Sequence, residues 1–306
     1  MRLGLGRFVP LLGILVSATL QPASIWAITI RDDTPDASYL ALAAQPDYAP
    51  VGTFVASSGN TSTSSSATLI APDWILTSAH SLFGYSSGTF TINGVSYDST
   101  QFLINPNWNA SELNNAFPGN DFGLVHLSSI VSGITPAQLY SGTADLALDG
   151  TLTGTFVGYG STGTGLNGFT TLDNQKRAFQ NIIDGNFGNP TKVLGVDFDN
   201  PHNPADSGFG SQTPLTLEGC VAPGDSGGGV FITVGSQTYL EGVISFNANA
   251  DGTQNSDYGD ASGFGRVSTY LPWIVSSIPE PPAYALLMAG ATLGLFFHRR
   301  RRQPKV

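Results

Sequence analysis

Hydrophobic residues in the middle of the chain occur in short runs that are rich in Val, Ile, Thr, Phe and Tyr. Gly, Asn, Ser and Asp separate these runs, and long helical periodicity is nearly absent. Short strands with regularly spaced turn residues between them are typical of an all-β sandwich or barrel. The runs that predict strands are 51–56, 68–70, 74–77, 90–92, 123–127, 154–157, 229–234 and 239–245.

Polar stretches between these runs predict loops, because Ser, Thr, Asn, Gly, Pro and Asp favour turns. Four such stretches are 57–66, 105–119, 184–211 and 247–262. The last folded segment, 267–278, carries apolar residues at helical spacing and predicts a short C-terminal helix.

The start of the chain has the three-part layout of a secretory signal peptide. Residues 1–27 begin with Arg2 and Arg7, continue through an apolar run and end in small residues at Ala27. We expect cleavage after Ala27, which leaves a folded domain over 28–278; a buried N-terminal helix is the alternative interpretation.

The end of the chain carries a second apolar segment, 283–297, followed by His298 and four arginines. Its fifteen residues are short for a membrane span of about 20, and the arginines would stay on the cytoplasmic side. Together with Pro-Glu-Pro at 279–281, the segment 279–306 resembles the PEP-CTERM sorting signal of Gram-negative bacteria. That resemblance implies transient anchoring in the inner membrane, processing by exosortase and delivery to the periplasm or cell surface. A plain C-terminal membrane anchor is the alternative.

The charge of the segment between these ends bears on its partners. Residues 28–278 hold five basic and twenty-one acidic side chains, a net charge near −16 against −10 for the whole chain. Phosphate binding needs a basic surface, so nucleic acid is excluded as a partner. The segment is long enough for one large β domain or two barrels with a real core. Cys220 is the only cysteine, so no intramolecular disulfide can form.

Ser226 is the strongest candidate for a reactive side chain. It lies in Gly-Asp-Ser-Gly-Gly-Gly, residues 224–229, between two predicted strands. A serine among glycines can occupy a tight turn that exposes its hydroxyl, and neighbouring N–H groups can then point at one oxyanion. Gly-x-Ser-x-Gly also occurs in α/β-hydrolases, so the motif alone does not decide the fold.

A serine nucleophile needs a base, which is usually histidine, and the histidine needs a carboxylate. Of the four histidines, His80 alone stands at the end of a predicted strand with small neighbours that leave room for a substrate. Asp121 immediately precedes an alternating apolar strand, where it can be partly buried and still reach a neighbouring loop. His80, Asp121 and Ser226 are therefore the candidate triad.

The order of the three residues along the chain separates possible folds. An α/β-hydrolase has its histidine after the serine, and the only histidine after Ser226 is His298 in the predicted sorting segment. The subtilisin order begins with aspartate, and its fold needs helices between parallel strands. Neither fits this chain.

Five segments resemble motifs of the chymotrypsin/trypsin family. Thr-Ser-Ala-His at 77–80 is similar to Thr-Ala-Ala-His, and Asp-Phe-Gly-Leu-Val at 121–125 resembles Asp-Ile-Ala-Leu-Leu. Gly-Asp-Ser-Gly-Gly at 224–228 is the nucleophile motif unaltered. Gly-Val-Ile-Ser-Phe at 242–246 resembles Gly-Ile-Val-Ser-Trp, and 265–270 looks like the closing strand and helix. The matches run from about Val51 to Ile278.

This resemblance implies two six-stranded antiparallel β-barrels with the triad in the cleft between them. It also implies a serine endopeptidase in which His80 takes the proton from Ser226 and later gives it to the leaving amine, while Asp121 orients His80. The N–H groups of Gly224 and Ser226 would form the oxyanion hole.

The primary specificity pocket departs from the family pattern. The residue six before the nucleophile, which sets the pocket floor, is Cys220 here. Ser245 and Phe246 would border the bound peptide. Asn247 stands where a glycine usually keeps the entrance open, and Ser262 would lie on the opposite wall. Because no carboxylate is apparent in the pocket, we expect a preference for small or uncharged side chains.

Activation has two possible routes. In the family, the new N-terminal amine pairs with the aspartate that precedes the nucleophile. Signal cleavage would expose Ile28, which could insert and pair with Asp225. Alternatively, an internal group such as Arg31 could pair with Asp225.

The sequence also bears on metals and partners. Asp197, Asp199 and Asp206 suggest a calcium site, but Pro201 stands where the EF-hand pattern needs a ligand, so solvated acidic loops are the simpler interpretation. We expect no metal or other cofactor, and a monomer whose partners are protein or peptide substrates, the export machinery and an exosortase. The rival function is a catalytically silent surface binding or adhesion protein on the same fold.

Overall fold

The computed structural model describes residues 28–113, 116–249 and 252–279. The predicted signal peptide and all of the predicted sorting segment except Pro279 lie outside these residues. Within them, no helix has both the length and the hydropathy needed to span a membrane.

The chain forms two β-rich halves. Two elements, β1 (Thr29–Ile30) and α1 (Asp36–Ala43), precede the first half along the chain. The elements of the first half are β2 (Val51–Ser58), β3 (Thr61–Ala71), β4 (Trp74–Thr77), β5 (Ser87–Ile92), β6 (Val95–Ile104) and β7 (Gly123–Leu127). Strands β2 to β7 close a six-stranded antiparallel barrel in the order β2-β3-β4-β7-β6-β5.

The second half begins after a long connection. Its elements are β8 (Thr153–Gly158), β9 (Thr162–Thr164), β10 (Gly168–Thr171), β11 (Arg177–Ile182), β12 (Gly185–Asn186), β13 (Val193–Asp197), β14 (Gly219–Cys220), β15 (Gly229–Val234), β16 (Gln237–Ala248), β17 (Ala261–Arg266) and α2 (Val267–Ser277). Seven strands form a sheet in the order β11-β8-β15-β16-β17-β13-β12. This sheet stays open, where the sequence predicts a second closed six-stranded barrel. The all-β fold and its C-terminal helix are confirmed.

Alternation of apolar residues along the strands builds a core inside each half. In the barrel, Phe54, Leu69, Ile75, Phe90 and Val125 are fully buried and belong to one cluster. In the second half, the rings of Phe156 and Phe179 stack at 4.6 Å, and Phe264 packs edge-on against Phe156. Fully burying one such side chain contributes about 1.5–3 kcal/mol, so these clusters are the main source of stability in a chain without disulfides.

All eight predicted strands lie within observed strands, and the predicted C-terminal helix is α2. The loop predicted over 57–66 is wrong, because β2 continues to Ser58 and β3 begins at Thr61. Backbone pairing of Ser58 with Thr61 closes a tight hairpin there. Ser and Thr are acceptable on strand faces that meet water. The range 184–211, which is predicted as a loop, also contains β13, a buried strand that pairs with β17.

Strand β1 belongs to a separate four-stranded sheet, β10-β9-β1-β14. Thr29 pairs with Cys220 on one side and with Gly163 on the other. The first described residues therefore form an interior strand beside the segment that leads to Ser226.

Two buried arginines attach outlying segments to the second half. Arg177 is 1 % exposed and ion-pairs with Asp36 of α1 and with Asp173. Arg266, at the end of β17, ion-pairs with the buried Asp145 of the connection between the halves. Buried charges persist only when they are paired in this way.

Candidate active site

The turn around Ser226 has a backbone that glycine makes possible. Gly224 and Gly227 have φ values of 97° and 82°, in the left-handed region that other residues rarely adopt. A Cβ on Gly227 would lie 2.0 Å from Thr77 Oγ1 and 2.3 Å from the carbonyl oxygen of Ser66. The glycines that flank Ser226 therefore allow the turn to pack directly against the barrel.

Ser66 of β3 holds this turn against the first half. Its N–H donates to the carbonyl of Ser226 at 2.9 Å, and its hydroxyl donates to the carbonyl of Gly224 at 3.0 Å. The same hydroxyl accepts from the N–H of Tyr159 at 3.0 Å. Ser66 is fully buried, so these bonds are shielded from water. Ser66 has no distinguishing signal in the sequence, because it lies in a Ser/Thr-rich stretch.

Pairing of β4 with β7 brings His80 and Asp121 together. Thr77 at the end of β4 faces Gly123 at the start of β7, so the residues just beyond these strand ends are neighbours. His80 Nδ1 lies 2.7 Å from Asp121 Oδ2, and the His80 N–H donates to Asp121 Oδ1 at 2.9 Å. The Asp121 side chain is 4 % exposed and that of His80 is 29 % exposed. The carboxylate is thus shielded while the imidazole remains accessible.

Ser245 of β16 adds a third bond to this carboxylate, donating from its hydroxyl to Asp121 Oδ2 at 2.6 Å. Ser245 was predicted as a residue that borders the substrate. The structure gives it a contact with Asp121 as well, which the sequence did not indicate.

Burial and charge act in opposite directions on the pair. Burial lowers the pKa of His80, but the charge of Asp121 and its hydrogen bond raise it, and the net direction is upward. Burial raises the pKa of Asp121, but the charge of His80 and the bonds from His80 and Ser245 lower it, and the net direction is downward. The carboxylate therefore favours a protonated imidazole.

Two backbone N–H groups in the Ser226 turn have no acceptor among the residues that the structure describes. The N–H groups of Asp225, Gly227 and Gly228 donate to backbone carbonyls. Within the described ranges, no such bond is made by the N–H of Gly224 or Ser226. These two groups, predicted to form an oxyanion hole, are therefore available to a ligand.

The two halves meet at a groove and an adjoining smaller cavity. The groove, about 790 Å³ in volume, is lined by His80, Glu112, Phe117 and Gln254 among others. The smaller cavity has a volume of about 180 Å³, and Ser226 is one of the residues that line it. Ser245, Phe246, Asn247 and Gln254 line both spaces. The first half thus supplies His80 and Asp121, and the second half supplies Ser226.

The predicted pocket residues divide into two groups. Ser245, Phe246 and Asn247 line the small cavity, together with Val221 and Ile244. Cys220 and Ser262 do not line it; both are buried, with Cys220 Sγ 3.3 Å from Ser262 Oγ. Burial raises the pKa of the Cys220 thiol, which makes it inert as a nucleophile.

Asp225 is fully buried and bonded only to backbone donors in the described chain. It accepts from the N–H groups of Ala222 at 3.0 Å and Gly160 at 3.1 Å. No described cation forms an ion pair with it, and burial raises its pKa to about 8. Arg31 does not reach it, because its guanidinium binds Asp33 and the carbonyl of Leu215. Ile28 is fully buried next to Thr29.

Two of the three aspartates in the predicted calcium site are engaged elsewhere. Asp197 Oδ2 accepts from the N–H groups of Gly208 and Phe209, and Asp206 accepts from the amides of Asn200 and Asn203. Among the residues that the structure describes, no group of three His, Cys, Asp or Glu side chains is arranged to hold a metal ion.

Replacing Asp121 by Asn should lower the pKa of His80, because a neutral amide does not stabilise the imidazolium by charge. The His80 ring resonances followed by NMR across pH report this change. Asp73→Asn, which removes the carboxylate 3.3 Å from His126, is the control and should leave His80 unchanged. An unchanged His80 pKa in Asp121→Asn would contradict the electrostatic assignment.

Comparisons with known proteins bear on the fold and the family. The solved structure of HL collagenase matches with a TM-score of 0.55 and 19 % sequence identity, covering 77 % of this chain and 97 % of that chain. At this identity the likeness concerns the fold. A search of curated proteins finds no match. The trypsin family model matches residues 43–274, and the chain therefore belongs to the trypsin family of serine proteases.

Proposed function

We propose that this protein is an exported serine endopeptidase that hydrolyses peptide bonds through Ser226, His80 and Asp121. The main support is the 2.7 Å contact of His80 with Asp121 at the edge of a groove that adjoins the Ser226 turn. The predicted signal peptide and the net negative charge of residues 28–278 are consistent with work outside the cell.

In the proposed mechanism, the two imidazole nitrogens have different roles. Nδ1 is committed to Asp121, so Nε2 is the nitrogen that accepts the Ser226 proton as Oγ bonds to the substrate carbonyl carbon. The oxyanion that forms receives hydrogen bonds from the N–H groups of Gly224 and Ser226, each contributing about 3 kcal/mol of barrier lowering. The C–N bond then breaks as His80 protonates the leaving amine. Water then attacks the acyl-enzyme carbonyl carbon as His80 takes its proton. The bond between that carbon and Ser226 Oγ breaks, and His80 returns the proton to Ser226.

A fluorophosphonate probe should label the wild-type protein and not the Ser226→Ala variant, because the probe reacts only with an activated serine. Mass spectrometry of the labelled peptide is the measurement. Ser276→Ala, an exposed serine on α2, is the matched control and should label like wild type. A folded wild-type protein that does not label would favour the silent binding protein instead.

The small cavity supports a preference for small or uncharged side chains. Val221, Ala222 and Ile244 give it apolar walls, and its polar side chains come from serines and the amides of Asn247 and Gln254. Glu218, the carboxylate nearest in sequence to Cys220, is bonded to the N–H groups of Asp199 and Leu215. Beyond the cavity, Phe246 contacts Phe117 with 5.5 Å between ring centroids, which adds an apolar surface for the substrate.

Cleavage of a peptide library should therefore occur mainly after small or uncharged residues. Discrimination in an apolar pocket is about 10–200-fold per methylene, so the profile should fall steeply with side-chain size. The sites are read by mass spectrometry, with Ser226→Ala as the control for contaminating activity. A profile dominated by Arg and Lys would be incompatible with this pocket.

Activation by insertion of Ile28 also fits the structure. Thr29 pairs with Cys220, which places Ile28 close to the segment that leads to Asp225. Asp225 is a buried carboxyl with two backbone donors and no described cation, and its pKa is raised to about 8. A new amine at Ile28 would supply the missing charge, whereas Arg31 is held by Asp33.

One extra alanine ahead of Ile28 should therefore reduce activity about a hundredfold or more, because loss of one partner of a buried ion pair costs about 3–5 kcal/mol. Peptide hydrolysis by purified protein beginning at Ile28 or at the added alanine is compared. The same alanine added after residue 278 is the control. Equal activity of the two N-terminal forms would exclude this route.

A further inference from the structure

Ser256 is a buried residue that connects two segments lining the small cavity. It is 0 % exposed and has a φ of 59°, which is uncommon for a residue other than glycine. Its hydroxyl donates to the carbonyl of Val221 at 2.8 Å and accepts from Nδ2 of Asn247 at 2.8 Å. Val221 and Asn247 both line the cavity. We call this pair of bonds the Ser256 bridge.

The direction of these bonds follows from chemistry. A hydroxyl has one hydrogen, and a carbonyl can only accept, so Ser256 Oγ must accept from Asn247. The nitrogen of the Asn247 amide therefore faces Ser256 and its orientation is set. Asn247 Oδ1 is buried and has no hydrogen-bond partner, so nothing else in the described chain holds this amide.

Ser256 is itself held from two sides. Its N–H donates to Asp260 Oδ2 at 2.9 Å, and its carbonyl accepts from Thr29 Oγ1 at 2.5 Å. The bridge is therefore attached to a fixed point, and it can determine how far Val221 and Asn247 stand apart. A chain with one cysteine has no disulfide to do this.

Cys220, by contrast, lies outside the cavity lining. Its Sγ contacts Ser262 Oγ, whose hydroxyl also accepts from the N–H of Val221 at 3.0 Å. A substitution at Cys220 therefore affects buried residues behind the cavity, where Ser262 still binds the N–H of Val221.

We propose that Ser256 sets the size of the primary specificity pocket, by holding Val221 and Asn247 together, and that Cys220 does not. Ser256 is a positioning residue, because it acts through these two residues and does not line the cavity. The inference rests on the proposed protease function and identifies which residue restricts the substrate to small side chains.

The test compares Ser256→Gly, Ser256→Ala and Cys220→Ala with wild type. Both Ser256 variants lose the hydroxyl, but glycine relieves the positive φ and alanine retains it. We compare substrates that carry Ala or Leu immediately before the cleaved bond. The ratio of kcat/KM for the Ala substrate to kcat/KM for the Leu substrate should fall roughly tenfold in both Ser256 variants, mainly through a lower KM for the Leu substrate. Cys220→Ala should leave the ratio unchanged. A merely structural effect would follow thermal stability and differ between the Gly and Ala variants.

Two further measurements separate this inference from the proposed function. A small fluorophosphonate should still label Ser226 in the Ser256 and Cys220 variants. Absence of labelling in the wild-type protein would contradict the proposed protease function and would not bear on the role of Ser256. Product peptides that end in Ala or Leu, bound to Ser226→Ala protein with and without Ser256→Gly, should give the same change in ratio without chemistry. Unchanged ratios in the Ser256 variants, or a changed ratio in Cys220→Ala, would overturn the proposal.

Discussion

The bonds from Ser66 to the Ser226 turn are the contact on which the candidate site depends. They join β3 of the barrel to a loop of the second half, through the carbonyls of Ser226 and Gly224. Together with the bond from Ser245 to Asp121, they position the turn that carries Ser226 against the strand ends that carry His80 and Asp121. Because Ser66 is fully buried, competition from water is small and the bonds define the distance between the halves.

Charge in the interior is arranged around a few carboxylates. Asp121 is stabilised as an anion by His80 and Ser245, whereas Asp225 has backbone donors only and a pKa raised to about 8. Two carboxylates with such different surroundings suit different roles. Asp121 binds the imidazole of His80, and Asp225 is suited to pair with a cation such as the proposed new amine of Ile28.

Hydrogen bonds and ion pairs take over the cross-linking that many exported proteins obtain from disulfides. Arg177 attaches α1, Arg266 attaches the connection between the halves, and Ser256 joins two sides of the pocket. Each lies in a buried setting where an unpaired partner would be costly. The N-terminal strand takes part, since Thr29 pairs with Cys220 in the sheet and donates its hydroxyl to the carbonyl of Ser256. Seating of that strand and order in the pocket are therefore linked.

Local sequence predicted eight of the strands, the helix α2 and the candidate residues His80, Asp121 and Ser226, because alternation, glycine turns and short motifs are properties of neighbouring residues. It misassigned 57–66, where serines and threonines suit a loop or a solvated strand equally, and only pairing with β2 decides. Ser66, the bond of Ser245 to Asp121 and the Ser256 bridge needed the tertiary structure, since each joins residues far apart in the chain. The pocket shows this most clearly: residue spacing pointed to Cys220, but folding of the 247–262 loop places Ser256 behind the cavity wall.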